Sequence, residues 1–594
     1  MKDIACHDPL LFKLPVGTVT KGNEVTFCLM VSEENLPNEV YLMIKNDEAH
    51  DYTYEKMQKY EKYYIKTLKF ENSGHFWYNF KLNFNDYCLF VSKTFDNYSY
   101  VSNDKGEDFF QQVTEEEYTC TDSMQGGVIY QIFVDRFCKV GEVTPREPLV
   151  LRDDWGGAIK KNTTDPILIN EEVFGGNFKG ITSKLDYLSE LGVTVIYMCP
   201  ISEAYSNHKY DTSNYMKVDS MFGTEEDFKE LTSKANEKGI KIVIDGVYNH
   251  TGSDSIYFNK KGRNAEVGAF QSKDSKYYSW FDFINYPNVY ESWWGIDTLP
   301  KVKGNCKEFQ EYIAGDGGVI ENFMKLGVSG VRLDVVDELE DEFTKKISNK
   351  VREFGNNNII MGEVWEDAGT KIAYSTRRKY FVNNELNSVM NYPVKASLLN
   401  YIKHGEPYEL VSTIRMLKSN YPKVVQDNLM NFLTTHDTVR FRSELETITG
   451  GDSLEADKLM KLASGISYTM MGVPSIFYGD EYGMKNNDGS SRGCFDWNAY
   501  QNDTFDWYKK LAEIRKLKVM KDGDLNILYA KNGMFIYERI NDSERVVVFA
   551  NMNKNLNLKA RLHGDFTSFI SGEKIDIINL KNHEIEIIIE KKQK

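Results

Sequence analysis

Eight short apolar runs that alternate with helix-like segments constrain the fold of this chain more than any other feature. Helix-like segments such as TEEDFKELTSKANEKG and DEFTKKISNKVREFG carry apolar residues at spacings of three and four, with glycine at their ends. Such strand–helix alternation, sustained here over about 390 residues, is typical of a (β/α)8 barrel. The runs predicted as strands are 128–133, 193–199, 241–245, 330–334, 359–363, 388–391, 431–435 and 475–478.

The two ends of the chain have a different pattern. Residues 24–93 contain short runs rich in aromatic and β-branched residues, and strand-like runs return after Ile514. The polar run at 113–127 separates the first flank from the barrel. A stretch at about 251–305, after the third strand, is too long for an ordinary loop and is predicted to be an insertion over the top of the barrel. We predict an N-terminal β-sandwich at 1–121, the barrel at 122–518 and a C-terminal β-sandwich at 519–594.

Charge and cysteine usage exclude several classes of partner. The chain has 594 residues with 88 acidic and 72 basic side chains, a formal net charge of −16, so it repels phosphate backbones and anionic lipid. It contains no run of the ~18 apolar residues that a membrane span requires. Its eight cysteines include no C-x-x-C pair, which argues against a disulfide framework and a zinc cluster. We expect a cytoplasmic protein with reduced thiols that binds neither nucleic acid nor membrane.

The predicted strands end in unusually polar residues. Catalytic groups of such barrels lie at the carboxyl ends of the strands, and here four strands deliver carboxylates to that rim. Carboxylates that converge with histidines, without a Ser or Cys nucleophile motif, suit acid/base and carboxylate-nucleophile chemistry on an uncharged substrate. Glycoside hydrolysis is such a chemistry. The residues concerned are His208 after the second strand, Asp245, Asn249 and His250 at the third, Arg332 and Asp334 at the fourth, Glu363 at the fifth, and His436 and Asp437 at the seventh.

The blocks DGVYNH, GVRLDVVDE, GEVW and TTHD, in that order, resemble the four short motifs of the α-amylase family. The blocks GGVIYQIFVDRF, SNHKYDT, WWGIDTLPKV and GVPSIFYGDEYGM also resemble that family, especially its neopullulanase, cyclomaltodextrinase and maltogenic-amylase branch. The likeness is strong over residues 120–515. It implies a retaining hydrolase of α-1,4 and some α-1,6 bonds in maltooligosaccharides, cyclodextrins, pullulan or starch. An α-glucanotransferase with the same active site and a noncatalytic carbohydrate-binding or partner protein are the alternatives.

The resemblance also implies roles for individual residues. Asp334 matches the nucleophile, Glu363 the general acid/base, and Asp437 the third carboxylate, which binds sugar hydroxyls. The residues that match substrate-binding positions are His208, Tyr210, His250, Arg332 and His436. Alternation along a strand places Arg332 and Asp334 on the same face, where a guanidinium would orient the carboxyl group and keep it ionised. We expect Asp245 to brace Arg332.

Two features of the sequence leave alternatives open. Trp280, Tyr286, Tyr290, Trp293 and Trp294 in the insertion either line glucose subsites or form the insertion's own core. Val336 and Asp337 stand where many members of this branch carry an Ala–Asn pair beside the acceptor subsites. Asn207 stands at a position where exo-acting relatives tend to carry an acidic residue.

The resemblance implies no cofactor for the chemistry. A structural calcium ion is one alternative, because Asn249 occupies a position that is a ligand in some members. The run CKVGEVT lacks the Asn/Asp cluster that supplies a site in others. The N-terminal domain is expected either to form a homodimer that narrows the active site or to bind starch, because HFWYNFKLNF and its neighbours contain more aromatic residues than a ~90-residue domain needs for its core.

Overall fold

The computed structural model describes residues 4–118, 124–159, 170–487 and 489–591. Eight parallel strands form one sheet in which each strand pairs with its neighbours in the chain, and the first pairs with the eighth. The sixth and seventh strands meet at a bridge between Met390 and Met430, so the barrel is nearly closed. The predicted eight-stranded parallel barrel is confirmed. Its strands are Ile129–Ile132, Val195–Met198, Lys241–Gly246, Gly330–Leu333, Ile359–Gly362, Ser388–Val389, Met430–Phe432 and Val473–Phe477.

Capping residues and an apolar stripe define the helices around the barrel. Thr224 caps one of them through a reciprocal contact with Asp227, and Asn391 caps another that ends at Gly405, whose φ is 77°. These helices bury the apolar stripe that their sequence pattern predicts. The helices are Val134–Phe137, Phe178–Thr182, Leu185–Glu190, Glu225–Glu237, Lys307–Ala314, Val319–Lys325, Asp341–Glu353, Tyr392–His404, Tyr408–Asn420, Lys423–Asp427, Phe441–Ile448, Ser453–Thr469, Asp503–Arg515 and Lys518–Asp522.

Alternate residues of the barrel strands belong to two separate cores. Tyr130, Ile196, Ile242 and other outward-facing residues pack in the large core shared with the helices. Inward-facing residues form a smaller cluster inside the barrel that includes Ile129, Val195, Val243, Ile359 and Met361. The period of two along each strand therefore separates the core beneath the helices from the barrel interior.

The barrel interior becomes polar towards the carboxyl ends of the strands. Val243 is followed two residues later by Asp245, Gly330 by Arg332, and Ile129 by Gln131, all of them buried. Gly330 permits the close approach of the neighbouring strand, since a Cβ at this position would lie 2.3 Å from the backbone oxygen of Ile359. The polar half of the interior is where the candidate site lies.

The N-terminal region is built from two sheets around its own core. It contacts the barrel through Arg415, which donates to Asp8 at 2.9 Å and lies over the ring of Tyr98. A second contact joins Arg377 to Asp47 at 2.8 Å and to the ring of Trp77. The strands are Ala5–Cys6, Lys13–Leu14, Val19–Thr20, Glu24–Val31, Glu39–Asn46, Thr53–Lys56, Gln58–Tyr60, Tyr63–Lys69, Gly74–Asn83, Cys88–Lys93, Ser99–Ser102 and Phe109–Thr114.

The C-terminal region carries a five-stranded sheet and a two-stranded sheet, as the sequence pattern predicts. It packs on the barrel helices, where Tyr537 contacts Thr469 and His583 contacts Glu455 at 2.7 Å. The predicted boundary between residues 121 and 122 lies outside the described residues, so the exact domain limits stay a prediction. The strands are Asp524–Lys531, Met534–Ile540, Glu544–Asn551, Leu558–Arg561, Phe566–Ser568, Ile577–Leu580 and Glu584–Lys591.

The insertion after the third strand returns to the barrel at a bridge between His250 and Lys301. It contains the short antiparallel pair Phe283–Asn285 and Val289–Tyr290 and two single helical turns, Tyr278–Trp280 and Trp293–Gly295. Further short strand pairs join Val150–Leu151 to Glu172–Val173, Ser202–Ala204 to Thr212–Val218, and Ile372–Ala373 to Thr376–Arg377. Across the described ranges, no helix has the length and apolar character needed to span a membrane.

Candidate active site

A cavity of about 940 Å³ opens at the carboxyl ends of the barrel strands. Of the eight residues singled out from the sequence as catalytic or substrate-binding, six line it, and the other two, Arg332 and His436, are buried behind the wall in contact with lining residues. The six are His208, Tyr210, His250, Asp334, Glu363 and Asp437, and His436 contacts Tyr210 behind them. The structure thus brings residues from five strand ends to one place.

Arg332 joins three carboxylates. Its Nη1 atom lies 2.7 Å from Asp334 Oδ1 and 2.8 Å from Asp245 Oδ1, and its Nη2 atom lies 2.9 Å from Glu363 Oε2. The expected brace between Asp245 and Arg332 is present. Burial, together with Glu363 and Asp245, raises the pKa of Asp334, whereas Arg332 opposes this rise. Ionisation of Asp334 therefore depends on the guanidinium.

Glu363 is held by two further donors. The backbone N–H of Val335 donates to its Oε2 atom at 2.9 Å, and Trp365 Nε1 donates to its Oε1 atom at 3.1 Å. Val335 has a φ of 40°, a left-handed conformation that is rare for a β-branched residue. Because Val335 follows Asp334 directly, this strained backbone turns its N–H towards Glu363 and links the two carboxylate residues.

Asp437 and His436 form an ion pair beside Tyr210. His436 Nε2 lies 2.9 Å from Asp437 Oδ2, and the Tyr210 ring stacks on the His436 ring at 5.4 Å. Burial lowers the pKa of His436, but the neighbouring Asp437 carboxylate outweighs this effect and the pKa is raised to about 10. The Tyr210 hydroxyl donates to Asp245 Oδ2 at 2.8 Å, which fixes the ring at the cavity wall.

His208 and His250 are neutral at ordinary pH. Burial lowers the pKa of His208 to about 3 and that of His250 to about 4. Among the described residues, the buried Nε2 atom of His250 has no hydrogen-bond partner, although the ring lines the cavity and stacks on Trp293. An unpartnered polar atom at the wall of a cavity is suited to a ligand hydroxyl.

The structure separates the aromatic residues of the insertion into two groups. Trp293 and Trp294 line the cavity, and Trp294 is 79% exposed. Trp280 is buried and packs against neighbouring rings, while Tyr290 and Tyr286 contact the ring of Phe283. Trp280, Tyr286 and Tyr290 therefore belong to the insertion's own core, whereas glucose subsites at Trp293 and Trp294 stay a prediction.

Several residues of the site were not singled out in the sequence analysis. Tyr197 donates to Asp245 Oδ2 at 2.7 Å, and Gln131 lies 2.8 Å from His436 Nδ1. Arg492 Nη2 donates to Asp437 Oδ1 at 3.1 Å from the loop after the last barrel strand. Gln131 and Tyr197 occupy inward positions near the ends of their strands, a signal that could have identified them. No spacing links Arg492 to the seventh strand.

The sequence departures lie outside the cavity wall. Asp337 accepts a hydrogen bond from Tyr380 at 2.7 Å and pairs with Lys371 at 2.9 Å, and Val336 is fully buried. Asn207 is buried and its Nδ2 atom donates to the backbone oxygen of Glu172 at 3.0 Å. These side chains therefore support the loops of the site from behind.

The calcium alternative gains no support from the geometry. Within residues 4–118, 124–159, 170–487 and 489–591, no three or more His, Cys, Asp or Glu side chains are arranged to hold a metal ion. The side chain of Asn249 is buried and contacts His250 Nδ1 at 3.4 Å. Asp135, in the VDRF block, accepts from Arg136 at 2.6 Å and from two backbone N–H groups. Calcium stays a prediction, and no step below uses it.

Two carboxylates, a shared guanidinium and a set of neutral and charged hydrogen-bonding groups surround one cavity. Such a site can bind an uncharged polyhydroxylated ligand, form a covalent bond to its carbon through Asp334 and move a proton through Glu363. It offers neither a phosphate-binding loop nor an exposed basic cluster within the described lining.

Comparison with known proteins agrees with this chemistry. The model for the alpha amylase catalytic domain matches residues 131–522. A cyclomaltodextrinase of Thermoanaerobacter pseudethanolicus is 31% identical over 71% of this chain and 70% of that protein. A solved structure of a cyclomaltodextrinase covers 98% of this chain and 100% of that chain with a TM-score of 0.71 and 22% identity.

The chain is also similar to longer proteins. An amylopullulanase of Thermoanaerobacterium saccharolyticum is 30% identical over 90% of this chain. The match covers 46% of that amylopullulanase, so this chain spans less than half of its length.

Proposed function

Because the chain belongs to the α-amylase family of glycoside hydrolases, we propose that it is a retaining hydrolase of α-glucans that cleaves α-1,4 and also α-1,6 glucosidic bonds. The observation that carries the proposal is the contact of one guanidinium, Arg332, with Asp334 and Glu363 at the wall of a deep cavity. The proposal that both α-1,4 and α-1,6 bonds are cleaved is supported by the similarity to a cyclomaltodextrinase and an amylopullulanase.

In the first step, Asp334 attacks the anomeric carbon and forms a glycosyl ester while the glycosidic oxygen leaves. Arg332 holds the attacking carboxylate in its ionised form and in a fixed orientation. Glu363 donates a proton to the departing oxygen, so the leaving group is a neutral alcohol.

In the second step, Glu363 takes a proton from water, and the resulting nucleophile releases the sugar from Asp334 with net retention. Retaining enzymes hold their two carboxyl groups about 5 to 5.5 Å apart. Contact of both carboxylates with the terminal nitrogens of one guanidinium supports such a separation for Asp334 and Glu363.

Substrate binding is assigned to the groups around the carboxylates. We assign the sugar at the cleaved bond to the Tyr210 ring, with Asp437 and His436 on its hydroxyls. The unpartnered Nε2 atom of His250 supports a further hydroxyl contact. His208 lines the same wall in its neutral form.

Product analysis with maltotriose, a cyclodextrin, pullulan and soluble starch tests the proposal. We expect release of small maltooligosaccharides from these substrates by the wild-type chain and none by Asp334→Asn. Products longer than the substrate would favour the α-glucanotransferase alternative, which differs in the acceptor that resolves the ester. Absence of any product at all would favour the noncatalytic alternative and contradict the proposal.

A homodimer through the N-terminal region is a separate proposal. The aromatic residues of HFWYNFKLNF do not supply its surface, because Tyr78 and Phe80 are fully buried and Trp77 contacts Arg377 of the same chain. Support comes instead from exposed apolar side chains of this region, among them Phe95, which is 85% exposed.

Sedimentation of the full chain at micromolar concentration tests the dimer. If a partner subunit narrows the active site, dilution into the monomer range should lower activity on cyclodextrin relative to starch. A monomer at micromolar concentration would contradict the dimer, and an unchanged ratio would contradict its role in size selection. Starch binding by this region would instead appear as retention on insoluble starch by the Asp334→Asn variant.

We also propose a reducing, cytoplasmic location and the domain limits given above. The location is supported by seven cysteines that are free among the described residues, since disulfides usually form in exported proteins. Cell fractionation would test it. Limited proteolysis with cleavage near residues 121 and 518 would support the domain limits.

A further inference from the structure

We propose that Arg492 is a positioning residue that holds the Asp437 carboxylate in the orientation it needs to bind sugar hydroxyls. This rests on the function proposed above, because it assigns a supporting residue to a carboxylate of that site. Arg492 lies on the loop after the last barrel strand and lines the cavity.

The guanidinium of Arg492 contacts two successive residues of the seventh strand end. Its Nη2 atom donates to Asp437 Oδ1 at 3.1 Å, and its Nε atom donates to the backbone oxygen of His436 at 3.0 Å. The other carboxylate oxygen, Oδ2, lies 2.9 Å from His436 Nε2. Each oxygen of Asp437 thus has its own cationic donor, and the two donors approach from different elements of the fold.

The backbone that carries Arg492 is fixed before any ligand binds. Three successive carbonyl oxygens of residues 491–493 accept hydrogen bonds from buried side chains. The donors are Arg440 at 2.8 Å, Arg136 at 2.8 Å and Tyr478 at 2.6 Å. Because these donors belong to the barrel, the loop cannot shift without breaking several buried hydrogen bonds. The Arg492 side chain is therefore preorganised towards Asp437.

The charges around Asp437 indicate what Arg492 adds. Burial raises the pKa of Asp437, but the positive charges of His436 and Arg492 outweigh this effect and lower the pKa below its ordinary value. Arg332 acts in the same direction as His436 and Arg492. The other titratable groups that face this site are His208 after the second strand, Glu363 on the fifth strand, Tyr392 at the start of the helix that follows the sixth strand, and Tyr210. Removal of Arg492 therefore moves the pKa of Asp437 upwards.

Substitution of Arg492 tests this role. We expect Arg492→Gln to lower kcat by about tenfold to a hundredfold, with a smaller effect on KM, because a charge-assisted contact to a carboxylate is lost. The acidic limb of the kcat/KM profile should move to higher pH, and Arg492→Lys should recover most of the rate. The matched control is Arg545→Gln, which removes an arginine of similar exposure, 29% against 28%, that pairs with Glu538.

A double-mutant cycle separates positioning from direct contact with substrate. With 4-nitrophenyl α-maltoside as the probe, Arg492→Gln should change the residual rate of Asp437→Asn by less than about twofold. An equal loss of rate in both backgrounds would overturn the inference, and so would an unchanged pH profile in the single variant. Full activity of Asp437→Asn alone would overturn the function proposed for that residue, a result distinct from a failure of the inference.

Discussion

The interior of the barrel has two halves that differ in kind although the same strands build both. The apolar half contains Ile129, Val195, Val243 and Ile359, whose side chains form one buried cluster. The polar half, towards the carboxyl ends, contains the Arg332 cluster and the cavity. Burial is nearly complete in both, since Ile359 is 1% exposed and Arg332 is 0% exposed.

The difference lies in what burial does to each half. Apolar side chains gain free energy on leaving water, whereas charged side chains lose hydration that their partners offset only in part. The apolar half therefore stabilises the barrel, and the polar half uses part of that stability to hold ionised groups in a buried site. Substitutions in the two halves should separate these contributions.

The largest effect is expected from Asp334→Asn and Glu363→Gln in the polar half. Each removes the covalent or proton-transfer role of its side chain, so turnover should fall by at least about a thousandfold. Thermal stability should be retained or increased, because one of three acidic groups around a single guanidinium is removed. Steady-state kinetics and thermal denaturation check both expectations, and rates within tenfold of wild type would refute the assignment.

In the apolar half, Ile359→Ala should show the opposite behaviour. Loss of buried methyl groups should lower the free energy of unfolding by about 2 to 5 kcal/mol, with Ile359→Val costing about 0.5 to 1.5 kcal/mol. Activity per folded molecule should remain close to wild type, although Glu363 directly follows the strand that begins at Ile359. Denaturant titration with active-site counting measures both. A large loss of kcat with unchanged stability would break the comparison.

Arg332→Lys sharpens the comparison within the polar half. Burial and acidic neighbours raise the pKa of Asp334, and the guanidinium opposes that rise. An ammonium group replaces two terminal nitrogens with one, so its opposition should be weaker. At a given pH fewer Asp334 carboxyl groups would be ionised, and kcat/KM should fall by about tenfold to a hundredfold.

The acidic limb of the kcat/KM profile should accordingly move to higher pH in Arg332→Lys. Burial lowers the pKa of His208 to about 3 and that of His250 to about 4. Both side chains therefore stay neutral over the pH range of this shift and should not contribute to it. A pH profile superimposable on that of the wild type would show that Arg332 does not control the ionisation of Asp334.

The smallest effect is expected at the rim of the cavity. Trp294→Ala removes an exposed ring that lines the cavity, and KM should rise about twofold to tenfold because stacking contributes about 0.5 to 1.5 kcal/mol. Trp280→Ala, in the buried core of the insertion, should instead lower stability by about 3 to 5 kcal/mol. An unchanged KM in Trp294→Ala would place substrate elsewhere in the cavity.

The strand order and the residues at the strand ends could be predicted because both depend on local pattern. Alternating apolar runs predicted all eight barrel strands, and polar residues directly after them predicted the rim. Capping residues such as Thr224 and Asn391 likewise act within a few residues of their own position. These features follow from backbone geometry that the sequence encodes nearby.

Other parts of the site could not be predicted because they depend on contacts between distant segments. Arg492 reaches Asp437 across 55 positions. The inward position of Gln131 follows from the strand pattern, but its partner, His436, lies 305 positions away. The left-handed backbone of Val335 contradicts the preference of a β-branched residue and is imposed by its surroundings. The aromatic excess of the N-terminal region likewise includes Trp77, whose partner Arg377 lies in the barrel.

Trapping of the covalent intermediate tests the central claim most directly. Glu363→Gln incubated with an activated maltosyl fluoride should accumulate a glycosyl ester, since departure of fluoride needs no proton and hydrolysis lacks its base. Peptide mapping by mass spectrometry should place the sugar on Asp334, in the strand end held by Arg332. A sugar on any other residue, or release of the inverted anomer without a labelled peptide, would contradict the account.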